Sequence, residues 1–420
     1  MSLRSAGSPT GWGHCLSRSR CSTKESVTRM REMLKSNRRL FVYVVVSNFL
    51  LFFGYRVWEA MFNNFAVETI GIGPAAIGWV QALRELPGLM GFLLGFLALF
   101  LSEVRVMAFS VILLGAGMML TGQAASVPFL LVSTVVMSVG FHCFYPSNNA
   151  VVLMVVDKEH APKALGQLRS LGAIAALVAT GIVFLLAGRL GYRALFMAVG
   201  GVVILGGLVL LPFEKGKEGL PPRRRVVFRR RYWLYYTIAF LMGSRRHIFT
   251  TFAIFLLVKE HGISVETTAL LFLANSLINI FAYQYVGKLV GRLGERLMLS
   301  VGFGTLIPVF LGYAYVSVLP ILFGLFVIDN IIFGFNLATA TYLQKIAVSQ
   351  EELTSNLSLE QTINHIAAIV VPVVGGTVWA LFGSQAPFLV GVGIAAVSLV
   401  LSQFIRTPAE PMPVNSTEPS

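Results

Sequence analysis

The 420-residue sequence predicts an all-α integral membrane protein, with twelve transmembrane helices arranged as two pseudo-symmetric six-helix bundles. Three observations carry this expectation. Hydrophobic residues make up 56% of the chain and charged residues only 12%, against about 45–50% and about 25% in soluble domains. That much apolar surface needs the bilayer as its solvent. The apolar residues fall into twelve long runs, each near the roughly 20 residues that a helix needs to cross the hydrocarbon core. The runs lack the alternation of barrel strands, so helix is the form that satisfies their backbone in lipid. Finally, a strongly basic segment divides the runs six and six.

A basic tail, residues 1–39, precedes the first run at 40–66. It is too long and polar for a short cleaved leader, so the first run reads as an uncleaved anchor. Met1 and Met30 are both compatible starts, because Lys35, Arg38 and Arg39 supply a basic flank by themselves. Further runs near 75–100, 104–123, 127–154, 165–188 and 193–212 complete an N-terminal bundle over 40–212. Residues 213–232 hold Pro221-Pro222 and the triplets Arg223–Arg225 and Arg229–Arg231, the composition of a linker. Runs near 233–258, 266–287, 297–316, 319–344, 356–381 and 386–405 form a C-terminal bundle over 233–405. A tail of 406–420 follows. Most connections are too short to hold an extramembrane domain.

The formal charge of +14 follows this layout. Of the 33 Lys and Arg, only Arg189, Arg193 and Lys259 fall on the side opposite the N-terminus, and Arg56, Arg84, Arg245 and Arg246 fall within helices. All the others lie on one side, which the positive-inside rule makes cytoplasmic, with both termini there. The basic excess is a topology signal and requires no nucleic-acid partner. Compact loops point to a bacterial inner membrane. Cys15, Cys21 and Cys143 form no paired framework, no Cys–His spacing matches a zinc site, and neither metal nor cofactor is expected. There is no phosphate-cradling glycine loop and no catalytic constellation on the loops, so neither a nucleotide-driven pump nor an enzyme is indicated. Nothing suggests an obligate oligomer, and a monomer is expected.

The halves repeat each other. Phe62–Ile72 aligns with the stretch ending at Ile263 at an offset of 191, which also carries Arg56 onto His247. The match is one of hydropathy and polar position, as in the internal repeats of secondary transporters.

Eight ionisable residues lie inside predicted helices: Arg56, Glu59, Arg84, Glu85, Arg245, Arg246, Asp329 and Glu360. Facing lipid unpaired, they would cost roughly 20–28 kcal/mol together, so they must face one another or an aqueous cavity. In helix 7, Arg245 and Arg246 precede His247 and point about 100° apart. One is expected to reach a cavity while the other pairs with an acid. An anion site and a structural ion-pair network are both open readings, since guanidinium forks suit either partner. Arg56 and Glu59 share a face of helix 1 and read as an intrahelical pair. Glu85 shares a face of helix 2 with Gln81, beside Arg84, and Pro87 offers a hinge. Asp329 and Asn336 share a face of helix 10, where Asp329 reads either as a partner for Arg245 or Arg246 or as a proton carrier. On helix 11, Glu360 aligns with Asn364 and Gln361 with His365, and solvation at the cytoplasmic end is expected for Glu360. His142 on helix 4 aligns with Tyr145 and Asn149.

One motif adds a resemblance. Between helices 8 and 9 the chain reads G-K-L-V-G-R-L-G-E-R, from Gly287 to Arg296. It resembles the loop motif G-x-L-a-D-r-x-G-r-r of the major facilitator superfamily, with Gly291 in place of the Asp. Gly95–Leu99 keeps the opening of a second copy, with Leu99 in place of the Asp. Pro372, Gly375 and Gly376 in helix 11 resemble an antiporter motif displaced into the other half. The resemblance implies that Gly287, Leu289, Arg292, Gly294 and Arg296 form a gating turn. There, Gly287 and Leu289 would permit close helix approach, and Arg292 and Arg296 would bridge helix ends. It implies a pathway lined by helices 1, 4, 7 and 10, and the charges avoid helices 3, 6, 9 and 12 accordingly. The implied activity is alternating-access transport of a small anionic organic solute, proton-coupled through Glu59, Glu85, Asp329 or Glu360. Arg56, Arg245, Arg246, His247, His142 and Asn336 are the expected substrate-binding residues; Glu59, Arg84, Glu85, Asp329, Glu360 and His365 are the coupling or ion-pair residues. Efflux of lipophilic compounds, and a receptor or scaffold without transport, are the alternatives.

Overall fold

The computed structural model describes residues 38–90, 100–156, 161–213 and 228–407, and among them the chain is helical with short connections and no strand. The first half contains α1 (Arg38–Asn64), α2 (Pro74–Leu89), α3 (Glu103–Gln123), α4 (Val127–Val155), α5 (Ala161–Leu190) and α6 (Tyr192–Leu210). The second begins with α7 (Trp233–Lys259). A continuous helical stretch, Val265–Tyr315, is interrupted only at Gly294, whose φ of 77° no helix accommodates. At 51 residues it would be roughly 75 Å long if straight, far beyond a bilayer core of about 30 Å. Its arms are two spans, α8 (265–293) and α9 (295–315). Then come α10 (Leu319–Phe333, resumed as Asn336–Ile346), α11 (Gln350–Phe382) and α12 (Ala386–Ser402).

Among the described residues, nine helices are long and apolar enough to cross a membrane, and one of these contains both α8 and α9. The apolar α12 is shorter, and the run beginning with α2 continues into 91–99, outside the described residues. Large apolar side chains remain outside the core, including Val209 at 79% and Phe382 at 75% exposure. On a soluble protein such a surface would aggregate; here it meets lipid.

The internal repeat is present in the backbone. After α1, Gly71 N–H donates to Val67 O at 3.2 Å and Ile72 N–H to Ala66 O at 2.9 Å. After α7, Gly262 N–H donates to Val258 O at 3.1 Å and Ile263 N–H to Leu257 O at 3.2 Å, each pair 191 residues on. Both glycines have positive φ, 71° and 62°, as this style of helix ending requires. Serine side chains cap the starts of α3, α8 and α11, where Ser102, Ser264 and Ser349 accept from the third following amide.

The two halves meet tightly at the end bearing these glycine turns. Asn64 donates to Ile263 O at 2.8 Å and accepts from Thr268 at 3.0 Å. Gly78 lies against the carbonyl of Pro372, and Gly376 against that of Pro74, so α2 and α11 touch backbone to backbone where any Cβ would collide. The Pro372–Gly376 segment thus seats α11 on α2.

Several expectations change in detail. The residues 288–293, read as a loop, are helical up to Gly294. Pro87 does not break α2, which continues to Leu89. Helix 10 is interrupted at Gly334 and Phe335, whose amides fold back onto Ile331 and Ile332, so Asp329 and Asn336 lie on separate segments. α11 starts at Gln350 because Ser349 caps it and Glu351 and Glu352 suit its first turn. The tails, most of the 213–232 linker and the Gly95–Leu99 motif lie outside the described residues.

Candidate functional site

A cavity of ≈ 480 Å³ opens beside α7, α10 and α11. From α7 it takes Ala239, Met242, Gly243 and Arg246, and from the second segment of α10 it takes Asn336 and Thr339. The α11 wall supplies Leu357, Glu360, Gln361, Asn364 and His365. Glu360, Gln361, Asn364 and His365 fall on adjacent stripes of one helix, and both stripes reach the cavity. All these positions lie toward the end that carries Arg229–Arg231 and Lys345, opposite the glycine-turn seam.

The adjacent arginines separate as their 100° offset demands. Arg245 is fully buried and its Nη1 lies 3.0 Å from Asp329 Oδ1. Its Nε and Nη2 have no hydrogen-bond partner among the described residues. Arg246 turns to the cavity, with its guanidinium 4.2 Å from the centre of the Phe333 ring, a cation–π contact. Among the described residues it makes no ion pair. A guanidinium held on an aromatic face at the wall of a cavity presents its remaining donors to whatever enters.

Glu360 shares this wall instead of being left to solvent at a helix end. Tyr235 donates to it at 2.5 Å. This contact belongs to a ladder that joins α11 to the start of α7 and the residues just before it. In it Tyr232 donates to Glu352 at 2.5 Å, Tyr236 donates to Asn356, and Arg229 pairs with Glu352 at 2.8 Å. The signal in the sequence was the spacing Glu352, Asn356, Glu360 on one face, opposite three tyrosines in five residues.

The other expected residues are placed as follows. Arg56 pairs with Glu59 at 2.5 Å within α1. Arg84 pairs with Glu85 at 2.9 Å within α2. Glu85 also lies 3.3 Å from His365 on α11 and 3.8 Å from His142 on α4, a three-helix cluster that linear spacing cannot reveal. Among the described residues, His247 is buried off the cavity wall with no partner for its Nε2, and Asn336 presents a buried, unpartnered Oδ1 at the cavity.

The contacts made by Gly287–Arg296 differ from those the resemblance implies. Gly287 permits no unusual approach, since a Cβ there would meet only Leu337 at 3.8 Å. Leu289 and Arg292 are exposed, and Arg292 makes no ion pair among the described residues. The bridging acid is Glu295, buried and 2.7 Å from Lys345 at the end of α10. Arg296 reaches Gln403 beyond α12 at 3.2 Å. With Gly291 in the acid's usual place, Glu295 supplies the carboxylate four residues later.

A bundle of membrane helices joined at one end, with a polar cavity between them toward the other, is the architecture of a membrane carrier. The chain belongs to the major facilitator superfamily, whose family model matches residues 44–347. Among solved structures it is similar to a bacterial homologue of the human lysosomal transporter Spinster in an inward-facing, unoccupied conformation. That similarity has a TM-score of 0.72 and 16% identity over 89% of this chain and 99% of that one. It is also similar to the nucleoside transporter NupG, with a TM-score of 0.68 and 17% identity over 87% and 97% of the respective chains. No curated protein matches the chain in sequence.

Proposed function

We propose that the protein is a secondary active transporter of a small organic solute that carries an anionic group and hydrogen-bond donors. The observation that carries this reading is Arg246, an intramembrane cation without an acidic partner among the described residues, on the wall of a cavity. Its charge has a cost in the membrane, and a substrate anion offsets it when bound. Asn336, Gln361 and Asn364 supply neutral polar contacts. Glu360 accepts a donor from the solute or a proton from the cavity, which makes it the coupling group we favour over Asp329, already engaged by Arg245. With the basic segments in the cytoplasm, the seam closes the outer side and the cavity faces inward. The protein works as a monomer in a bacterial inner membrane.

The test is a thermal-shift panel on detergent-purified protein, with small carboxylates, organic phosphates and zwitterions set against lipophilic cations. Stabilisation by an anionic compound, lost in Arg246→Ala, is the expected result. Stabilisation by lipophilic cations alone, unchanged in that variant, would replace this reading with drug efflux through Glu360.

A further inference from the structure

Above the cavity, three Lewis bases from three helices converge. Glu85 Oε2 lies 3.3 Å from His365 Nδ1 and 3.8 Å from His142 Nε2. One ligand atom from each residue fits within 4.8 Å of the others. The two imidazoles stand 5.5 Å apart at 64°. Gly88, one turn along α2, makes room for them, because a Cβ there would collide with both rings.

The hydrogen-bond network selects a tautomer for His142. Ser138 Oγ donates to the carbonyl of Arg84. His142 Nδ1 lies 3.0 Å from both that Oγ and the Ser138 carbonyl oxygen. Neither has a proton to give, so Nδ1 carries the hydrogen and Nε2 of the neutral ring presents its lone pair. That lone pair faces a carboxylate oxygen, beyond hydrogen-bond distance. His365 Nδ1 is buried, makes no well-aligned hydrogen bond among the described residues, and faces the same oxygen at 3.3 Å. Arg84 engages only the other carboxylate oxygen, Oε1, at 2.9 Å.

The carboxylate oxygen and the two imidazole nitrogens turn toward one another, an arrangement that a proton on His365 Nδ1 or a cation held between the three groups satisfies. Ligand atoms about 2.0–2.2 Å from a tetrahedral metal lie roughly 3.3–3.5 Å apart; the two carboxylate-to-imidazole separations are 3.3 and 3.8 Å, and all three ligand atoms lie within 4.8 Å, so a bound ion draws them slightly inward. The His142 Nδ1–H bond to a backbone carbonyl is the outer-shell support that orients a metal-binding imidazole. Two imidazoles and one carboxylate suit zinc-class transition metals and disfavour magnesium or calcium.

We propose that Glu85, His142 and His365 bind a divalent transition metal of the zinc class, leaving one coordination position open toward the cavity that His365 also lines. Glu85 and His142 belong to the first half and His365 to the second. A bound ion therefore ties the halves together and favours the arrangement seen here over any in which α11 leaves α2 and α4. The proposal does not depend on the substrate reading.

The experiment uses tag-free protein, stripped with a chelator and titrated with Co²⁺ as a spectroscopic probe, then with Zn²⁺ and, separately, Mg²⁺. Expected are a tetrahedral Co²⁺ absorption displaced by Zn²⁺, and a rise in melting temperature with Zn²⁺ but not with Mg²⁺. His142→Ala and His365→Ala should each weaken Co²⁺ binding by at least about a hundredfold, the upper range for losing even a supporting group. His261→Ala, in the turn after α7, should leave it unchanged. Any variant that does not elute as a single species is replaced by its Gln counterpart. Metal binding kept in both histidine variants overturns the proposal. So does a wild-type protein whose stability follows pH but ignores Zn²⁺, which would make the cluster a proton site.

Discussion

In the first half of the chain, Arg56 finds Glu59 three residues away and Arg84 finds its immediate neighbour Glu85. In the second half, Arg245 reaches across from α7 to Asp329 on α10, and Arg246 beside it has no acidic partner among the described residues. The two halves carry equivalent glycine turns, yet they dispose of membrane charge in opposite ways. A pair within one helix moves with that helix and is indifferent to how helices rearrange. A pair between helices, or a charge left to a cavity, depends on the arrangement. The second half thus holds the inter-helix ion pair and the cavity cation, while the first half depends on the arrangement of helices through Glu85, which faces His365 across the two halves.

The sharpest way to break this contrast is Asp329→Asn. It strands a fully buried guanidinium, and removing one partner of a buried pair costs about 3–5 kcal/mol. Loss of monodisperse protein, or a large fall in melting temperature, is expected. The double variant Arg245→Met/Asp329→Leu should regain most of the stability, because apolar residues of similar volume replace buried pairs at little cost. A single variant as stable as the parent would show that Arg245 has another anion.

Arg246→Ala should do the reverse. The fold loses only a cation–π contact, so the melting temperature should change little. Affinity for the stabilising anion should fall roughly ten- to hundredfold, the value of a charged hydrogen bond of about 1.5–3 kcal/mol. Arg246→Lys should not restore it, since a point charge lacks the planar fork. Ligand titration by thermal shift measures both, and a large stability loss with unchanged affinity would move Arg246 into the structural network.

Gly376→Val tests the seam that joins the contrasting halves. Its side chain would meet the Pro74 carbonyl, and overpacking of this kind costs about 1–3 kcal/mol. A lower melting temperature is expected, with weaker docking of α11 on α2 and therefore weaker metal binding by Glu85, His142 and His365.

Much of this was legible from hydropathy and charge. The twelve runs, the repeat offset and the presence of intramembrane ions all follow from one-dimensional patterns, because lipid forces helix and charge forces pairing. Pairs within a helix could be read from spacing alone. The Arg245–Asp329 contact could be narrowed only to two arginines, since helical geometry fixes the angle between neighbours but not which one faces inward. Glu85, His142 and His365 were each visible singly, yet their meeting needs the packing of three helices. Likewise, the motif showed only that Gly291 stands where its acid is expected, and could not show that Glu295 reaches Lys345.

The smallest expected effect belongs to Glu59→Gln. Its partner Arg56 has a side chain 43% exposed and Glu59 one 31% exposed, so neither is sealed in a dry core. Helical pairs at this spacing contribute about 0.2–0.5 kcal/mol, and exposed pairs generally less than about 1 kcal/mol. Arg56 keeps its neighbour Tyr55, whose ring centre lies 6.0 Å from the guanidinium, and its side chain is only partly covered by the protein. Thermal unfolding should therefore barely change, and ligand affinity should stay as in the parent. A destabilisation approaching that of Asp329→Asn would mean that Arg56 is held away from water after all. The first half would then be as dependent on its charge pairing as the second, and the contrast between them would fail.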